Sequence, residues 1–263
     1  GPSGSGKTYT ALKITKFLGG TTALIDTERG SASKYADQFS FDVLELDSFH
    51  PDAYIKGIGL AVQAGYSNLI IDSLSHAWAG KAGLFELHGN ITARDSRHDS
   101  FTAWRDITPI HNRLLDALNQ ANIHLIATMR AKSEYTRTTD DKGKVKITEV
   151  GVQPVQRDGT EYEFDVVARL DPDNTLIVTK SRCSQLAEQV IPKPGKEIAD
   201  TLKAWLSEGS VPMPKPASQV NTKTGKVTDA PQDDSRPLAP TTPTGTSAIT
   251  EGATIDPAGQ RVY

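Results

Sequence analysis

The chain has 263 residues, with 29 lysines and arginines against 32 aspartates and glutamates, and a formal net charge of -3 at pH 7. This near-neutral balance excludes a chain that is basic overall, although a local basic loop can still contact phosphates. The single cysteine, Cys183, has no partner for an intramolecular disulfide, and no stretch approaches the roughly 18 apolar residues of a membrane helix, so we expect a cytoplasmic protein with no membrane association.

Short apolar runs alternate with helix-like segments in the first half of the chain. Strands are predicted at 22–26, 41–46, 68–72 and 124–128, and helices at 7–18, 52–64 and 101–121. This alternation is typical of an α/β fold with a mostly parallel sheet and helices on both of its faces.

The pattern changes from residue 144 onward. Strands are predicted at 145–150, 164–170 and 175–179, and the turn sequence at 171–174 indicates that the last two are antiparallel. A final amphipathic helix then places four apolar side chains on one face: Ile198, Leu202, Trp205 and Leu206.

The composition changes again near Gly209. Prolines, threonines and serines dominate from there on, with too few large apolar residues to form a packed layer. We therefore predict a folded domain over residues 1–208 and a disordered, Pro/Thr-rich tail over 209–263.

The strongest motif is the opening sequence GPSGSGKT, which matches the phosphate-binding pattern G-x-x-x-x-G-K-[ST]. Its glycines let backbone N–H groups turn toward phosphates, Lys7 reaches the β- and γ-phosphates, and Thr8 offers a hydroxyl to Mg²⁺. The alternative is a Gly/Ser-rich linker that matches by chance. The predicted ligands are ATP and Mg²⁺, and the predicted nucleotide-binding residues are Gly1, Pro2, Ser3, Gly4, Ser5, Gly6, Lys7, Thr8 and Tyr9.

This motif normally follows a strand, and that first core strand is missing here. We expect that the chain is truncated at its amino terminus; the alternative is that the loop is held by something absent from this sequence. Removal of a central strand would leave unpaired backbone groups on the neighbouring strands.

Two acids follow predicted strands at the edge where open α/β sheets bind their ligands. Asp72 ends the strand at 68–72 and is predicted to hold Mg²⁺ together with Thr8. Glu28 lies just beyond the strand at 22–26 and is predicted to activate the water that attacks the γ-phosphate. The alternative is that Asp26 and Glu28 cap a helix that begins near Ser31.

These motifs together resemble the RecA-fold ATPases. More closely, residues 1–208 are similar to the RecA-like AAA-type ATPases of phages and prophages, which are related to the Sak-type single-strand annealing ATPases. The supporting stretches are DSLSHAW at 72–78, ATMRAK at 127–132, QRDGTEYEFD at 156–165 and KSRC at 180–183.

The resemblance implies roles for three further residues. Thr128 lies where RecA-like proteins place a sensor of the γ-phosphate, although Gln or Asn is commoner there. Lys180 and Arg182 resemble the cationic finger that one subunit inserts into its neighbour's nucleotide site, which implies a homo-oligomer, a ring or a filament, with shared sites. A pair of surface cations is the alternative.

The resemblance also places DNA-binding loops at about 80–100 and 131–160, which we expect to be flexible. The first holds Arg94, Arg97 and His98, and the second holds Lys132, Tyr135, Arg137, Lys142, Lys144, Lys146 and Arg157, which follow Arg130. Acidic residues nearly balance these cations, so a solvated hairpin explains the second segment about as well as single-stranded DNA binding does. We expect Trp78, Trp104 and Trp205 to anchor the core rather than to stack on bases.

The sequence therefore predicts a RecA-like P-loop ATPase with catalytic residues Lys7, Glu28, Asp72, Thr128, Lys180 and Arg182. Its expected role is in phage DNA recombination, single-strand annealing or replication. Two alternatives remain: a P-loop kinase acting on a nucleotide or small molecule, and a scaffold that binds nucleotide without hydrolysing it.

Overall fold

The computed structural model describes residues 1–94, 100–139 and 145–208. Its α-helices are α1 (Lys7–Leu18), α2 (Pro51–Gln63), α3 (Ser75–Ala79), α4 (Leu84–Arg94), α5 (Ser100–Gln120) and α6 (Lys196–Glu208). Its strands are β1 (Thr22–Asp26), β2 (Asp42–Glu45), β3 (Asn68–Asp72), β4 (His124–Ala127), β5 (Ala131–Thr139), β6 (Val145–Pro154), β7 (Val166–Leu170), β8 (Thr175–Ser181) and β9 (Val190–Pro192). The tail predicted at 209–263 lies outside the described residues, so the domain division stays a prediction.

The central sheet is parallel, with the strand order β2-β1-β3-β4. All five residues of β3 are buried, because helices cover this strand on both faces. The backbone of Gly1 makes two hydrogen bonds to the chain just after β4. Its nitrogen donates to the carbonyl of Met129 at 3.0 Å, and its carbonyl accepts from Ala131 N at 3.1 Å. The phosphate-binding loop therefore begins beside the end of β4.

Side-chain alternation along the central strands divides the core between the two faces of the sheet. Ile25, Leu69 and Ile71 pack with buried residues of α2 and α5 on one face. Leu24 and Ile70 pack with buried residues of α1 on the other. The predicted α/β class with helices on both faces is therefore confirmed.

The carboxyl-terminal strands form a separate antiparallel sheet, β7-β8-β9, as the turn sequence predicts. Within that turn, Asn174 N donates to the carbonyl of Asp171 at 3.2 Å. A further cluster of buried residues joins this sheet to α1 and α6. Antiparallel strands thus follow the parallel sheet.

The two segments predicted as flexible loops contain regular structure where the structure describes them. Helix α4 lies in the first, and β5 and β6 form a long antiparallel hairpin in the second. In the first segment the predicted loop was wrong, because the described part is helical, whereas the hairpin in the second agrees with the strand predicted at 145–150 and with the hairpin alternative. Among the described residues, no helix combines the length and apolarity needed to cross a bilayer.

Candidate functional site

The opening residues fold into a loop that leads directly into α1. Gly4 and Gly6 have φ angles of 78° and 81°, a backbone region that side chains disfavour. No side chain caps the start of α1 at Gly6, so its first N–H groups are available to an anion. Lys7 Nζ donates to the carbonyl of Pro2 at 2.7 Å, which folds the ammonium back over the loop. The loop therefore fits a polyphosphate.

Asn174, in the turn between β7 and β8, clamps this loop from outside. Its Nδ2 donates to the carbonyl of Ser5 at 2.9 Å and to Thr10 Oγ1 at 3.0 Å. A Cβ on Gly6 would come within 2.7 Å of the same nitrogen, so a side chain there would push the Asn174 amide away from the loop, in addition to straining the positive φ. The sequence showed Asn174 only as a turn residue, and the turn pattern gives no sign of this contact.

Tyr9, predicted among the nucleotide-binding residues, packs away from the loop. Its ring makes edge contacts with Tyr35 and Phe39, at centroid distances of 5.7 and 5.4 Å. The structure gives this ring a packing role in the core cluster around α1.

Asp72 lies at the end of β3 and receives two threonine hydroxyls. Thr8 Oγ1 donates to its Oδ2 at 2.5 Å, and Thr128 Oγ1 donates to its Oδ1. A carboxylate beside the hydroxyl of the phosphate-binding loop suits Mg²⁺, which takes few protein ligands when substrate phosphates and waters complete its shell. Thr128, predicted to sense phosphate, is buried and points at Asp72 instead.

Glu28 lies across the site and is held by an arginine. Arg130 Nε donates to Glu28 Oε1 at 2.9 Å and Arg130 Nη2 donates to Oε2 at 2.5 Å, while Ser73 Oγ donates to Oε1 at 3.3 Å. Partial burial alone would raise the pKa of Glu28, but the hydrogen bonds and charge of Arg130 outweigh it and lower the pKa. Glu28 is therefore ionised and engaged in this conformation.

The alternative that Asp26 and Glu28 cap a following helix holds for Asp26 but not for Glu28. Asp26 Oδ1 accepts from Glu28 N at 2.5 Å and its Oδ2 accepts from Ala32 N at 3.5 Å, at the start of the short 3₁₀ helix Ala32–Tyr35. Burial raises the pKa of Asp26, and these two backbone hydrogen bonds oppose that shift. Asp26 thus shapes the turn that presents Glu28 to the site.

The Lys7 ammonium lies within the electrostatic influence of both carboxylates of the site. Burial lowers the pKa of Lys7, and the negative charges of Asp72 and Glu28 oppose this shift. The structure thus brings Lys7, Thr8, Glu28, Asp72 and Thr128 together at the carboxyl edge of the parallel sheet, as the strand-end positions predicted.

Two residues near Glu28 were missed by sequence reasoning. Thr27 Oγ1 accepts from Ser73 N at 2.8 Å, which ties the end of β1 to the end of β3. His76 Nδ1 lies 2.7 Å from the same hydroxyl, and burial, followed by the charge of Arg130, lowers the pKa of His76. A lone histidine with no recognisable spacing gave no signal of this position.

Lys180 and Arg182 are not brought to the phosphate-binding loop of their own chain. Lys180 Nζ donates to the carbonyls of Glu161, Tyr162 and Phe164, at 3.2, 2.7 and 2.7 Å. Arg182 Nη1 pairs with Asp165 Oδ1 at 2.7 Å and stays 66% exposed. Lys180 therefore secures the turn before β7, whereas Arg182 remains on the surface.

The cations predicted to contact DNA are only partly within the described residues. Arg130 pairs with Glu28 and so lies in the nucleotide site, while Lys132 is exposed at the start of β5. Arg97, His98, Lys142 and Lys144 lie outside the described residues, as do the side chains of Tyr135, Arg137 and Lys146.

A family model described as an AAA domain covers residues 1–207. No curated protein matches the chain. The matched span contains the residues that meet at the site: Lys7, Thr8, Glu28, Asp72, Thr128 and Arg130.

Proposed function

We propose that this chain, which belongs to the AAA domain family, binds ATP with Mg²⁺ and hydrolyses it. The observation that carries the proposal is the meeting of Thr8, Asp72 and Glu28 around the Lys7 ammonium. The fold and the family identify an AAA-type P-loop nucleotide-binding ATPase, and the magnesium dependence, the water activation and the biological role are our inference.

Binding would use the backbone amides of the loop and the first turn of α1, with Lys7 turning from the Pro2 carbonyl to the phosphates. Thr8 and Asp72 would hold Mg²⁺, which supplies positive charge against the phosphate oxygens. Thr128 would orient the Asp72 carboxylate by its hydrogen bond, a positioning role rather than direct contact with phosphate.

Glu28 would accept the proton of the attacking water. In the described conformation Arg130 donates to both oxygens of the carboxylate and lowers the pKa of Glu28, which makes Glu28 a weaker base. Loosening of this ion pair would therefore strengthen Glu28 as a base, and it would free Arg130 to approach the negative charge that develops on the transferring phosphate.

A neighbouring subunit would complete the site. Of the two predicted cations, Arg182 is the better candidate to reach a neighbouring nucleotide site. It is exposed and held by one surface ion pair, whereas Lys180 already donates to three carbonyls. We propose a homo-oligomer, a ring or a filament, in which Arg182 reaches the next nucleotide site.

The biological role follows from the resemblance to phage and prophage ATPases. We propose that hydrolysis is coupled to recombination, single-strand annealing or replication of phage DNA in the cytoplasm of the host. Single-stranded DNA is the expected partner.

The test is phosphate release by the full chain with Mg-ATP and no second substrate, compared with Glu28→Gln. Loss of a general base should lower kcat by about 10²- to 10⁴-fold while ATP still binds. The matched control is Glu197→Gln, which neutralises an exposed acid of α6 and should leave the rate unchanged.

The same assay distinguishes the ATPase from the two alternatives, a kinase and a non-hydrolysing scaffold. Phosphate transfer only when an acceptor is supplied would indicate the kinase. Nucleotide binding without turnover, even with magnesium and DNA present, would indicate the scaffold.

A further inference from the structure

We propose that a cavity bounded by α3, α4, α5 and the ends of the β5–β6 hairpin binds an unstacked base of a single-stranded nucleic acid. The cavity measures about 440 Å³, within the range of ligand pockets. Its wall carries three aromatic rings and two cations: Trp78, Phe85, Trp104, Lys132 and Arg157. We call it the aromatic cavity.

The rings of the aromatic cavity are arranged as a stack. Trp78 and Trp104 lie with centroids 5.5 Å apart and planes 17° apart, and His88 lies on Trp104 at 4.2 Å and 26°. Phe85 meets Trp78 edge-on at 5.2 Å. The two indoles are too close for a ring to enter between them, so a planar base would extend the stack. It can do so whatever its identity, because every base has a π-face.

The rings of the aromatic cavity are partly exposed to solvent, whereas the sequence predicted that Trp78 and Trp104 would be core residues. Phe85 is 53% exposed and both tryptophans are only partly buried, whereas the neighbouring Leu84 is fully buried. Partly exposed aromatic rings beside cations are the groups on which single-stranded nucleic acids stack.

The charges of the aromatic cavity select an anionic ligand. Arg157 Cζ lies 5.9 Å from the centroid of Trp104, and Lys132 is exposed at the rim. Among the lining residues that the structure describes, Asp158 is the one acid, so two cations there face a single carboxylate. A ring stack flanked by net positive charge matches a base and its backbone phosphate.

A single strand fits better than the other aromatic ligands. Bases within a duplex are already stacked on one another and cannot insert, whereas those of a single strand are free to. An apolar peptide would satisfy the rings but would leave Lys132 and Arg157 without anionic partners.

The aromatic cavity is connected to the nucleotide site through short links. Trp78 lies on α3, which follows Asp72 directly, and Gln156, also in the cavity wall, donates from Nε2 to the Leu74 carbonyl at 3.0 Å. Lys132 is two residues from Arg130, the partner of Glu28. The inference deepens the proposed DNA role, and an occupied cavity is placed to loosen the Arg130–Glu28 pair.

The experiment measures tryptophan fluorescence of the full chain with a Trp205→Phe background, which leaves only the two cavity tryptophans. Oligothymidylate is titrated in EDTA without nucleotide, so that a failure of ATP hydrolysis cannot affect the result. We expect saturable quenching, and the same titration of Glu197→Gln, which changes an exposed acid of α6 outside both sites, should be unchanged.

Two substitutions at one position separate stacking from folding. Trp104→Leu should weaken oligothymidylate binding by about 5- to 150-fold, the cost of one lost base stack, whereas Trp104→Phe should restore most of it. Thermal melts of both variants check that the fold is intact.

A second pair tests the charge. Lys132→Gln should reduce the slope of log affinity against log salt by about 0.7, the value for one phosphate contact of a single strand. Lys203→Gln, on an exposed lysine of α6, should leave the slope unchanged.

Three results would overturn the proposal. They are the absence of quenching at low salt, equal affinity of the parent and Trp104→Leu, and equally tight binding of an aromatic peptide in place of the oligonucleotide. Loss of ATP hydrolysis with intact oligonucleotide binding would instead count against the proposed ATPase alone.

Discussion

The Arg130–Glu28 pair makes a measurable contribution to stability, and Arg130→Gln should reveal it. The pair is bidentate, and the side chain of Glu28 is only 23% exposed. Exposed ion pairs contribute about 0.2–1 kcal/mol and bidentate charged hydrogen bonds about twice as much as neutral ones. Because the Arg130 side chain is 50% exposed, solvent screening reduces the gain, and we expect a loss of about 1 kcal/mol at pH 7.

Glu28 determines how this loss depends on pH. The folded-state pKa of Glu28 lies below its ordinary value of 4.5, so the stabilisation is present above pH 4.5 and is lost as the pH falls through the folded-state value. The difference in the free energy of unfolding between the parent and Arg130→Gln should therefore be largest at pH 7 and should decrease below pH 4.5. The same change should raise the pKa of Glu28 and move the acidic limb of ATP hydrolysis to higher pH.

Urea unfolding at pH 7 and thermal melts at descending pH measure this effect, with about 2–4 °C expected at neutral pH for a domain of this size. The matched control is Arg113→Gln, which breaks one hydrogen bond to Asp52 between side chains 59% and 58% exposed and should cost about 0.5 kcal/mol or less. Equal losses in the two variants, or an Arg130→Gln deficit that persists undiminished in acid, would refute the reasoning.

Two further changes test the loop clamp and the shared site. Asn174→Gly removes the clamp without backbone strain, since Asn174 has a φ of 59°, and should weaken ATP binding by about 5- to 10-fold in a fluorescent-nucleotide titration. An unchanged affinity would show that the loop holds its shape alone. Arg182→Ala should retain ATP binding and lose about 10³-fold or more in turnover, and mixing it with Lys7→Ala should restore activity, because one subunit keeps an intact loop and the other an intact finger. Parent-like hydrolysis by Arg182→Ala would rule out the trans finger.

The sequence alone was sufficient to predict the central sheet. The strands at 22–26 and 68–72 have the predicted bounds, because buried parallel strands are nearly continuous apolar runs whose ends are marked by polar residues. The positions of Glu28 and Asp72 follow from the same signal, since parallel strands deliver their carboxyl ends to one edge. The sequence could thus place these acids near Lys7 and Thr8 without any tertiary information.

Only the tertiary structure decided what each polar group touches. Arg130 is 102 residues from Glu28 and Asn174 is 169 residues from Ser5, and no local pattern links such pairs. Likewise, the sequence shows Trp78 and Trp104 as large apolar residues, but their exposure depends on how α3, α4 and α5 pack. The periodicity of a sequence shows on which face of its own helix or strand a residue lies. The residue that it contacts belongs to another element, and the two elements come together only when the chain folds.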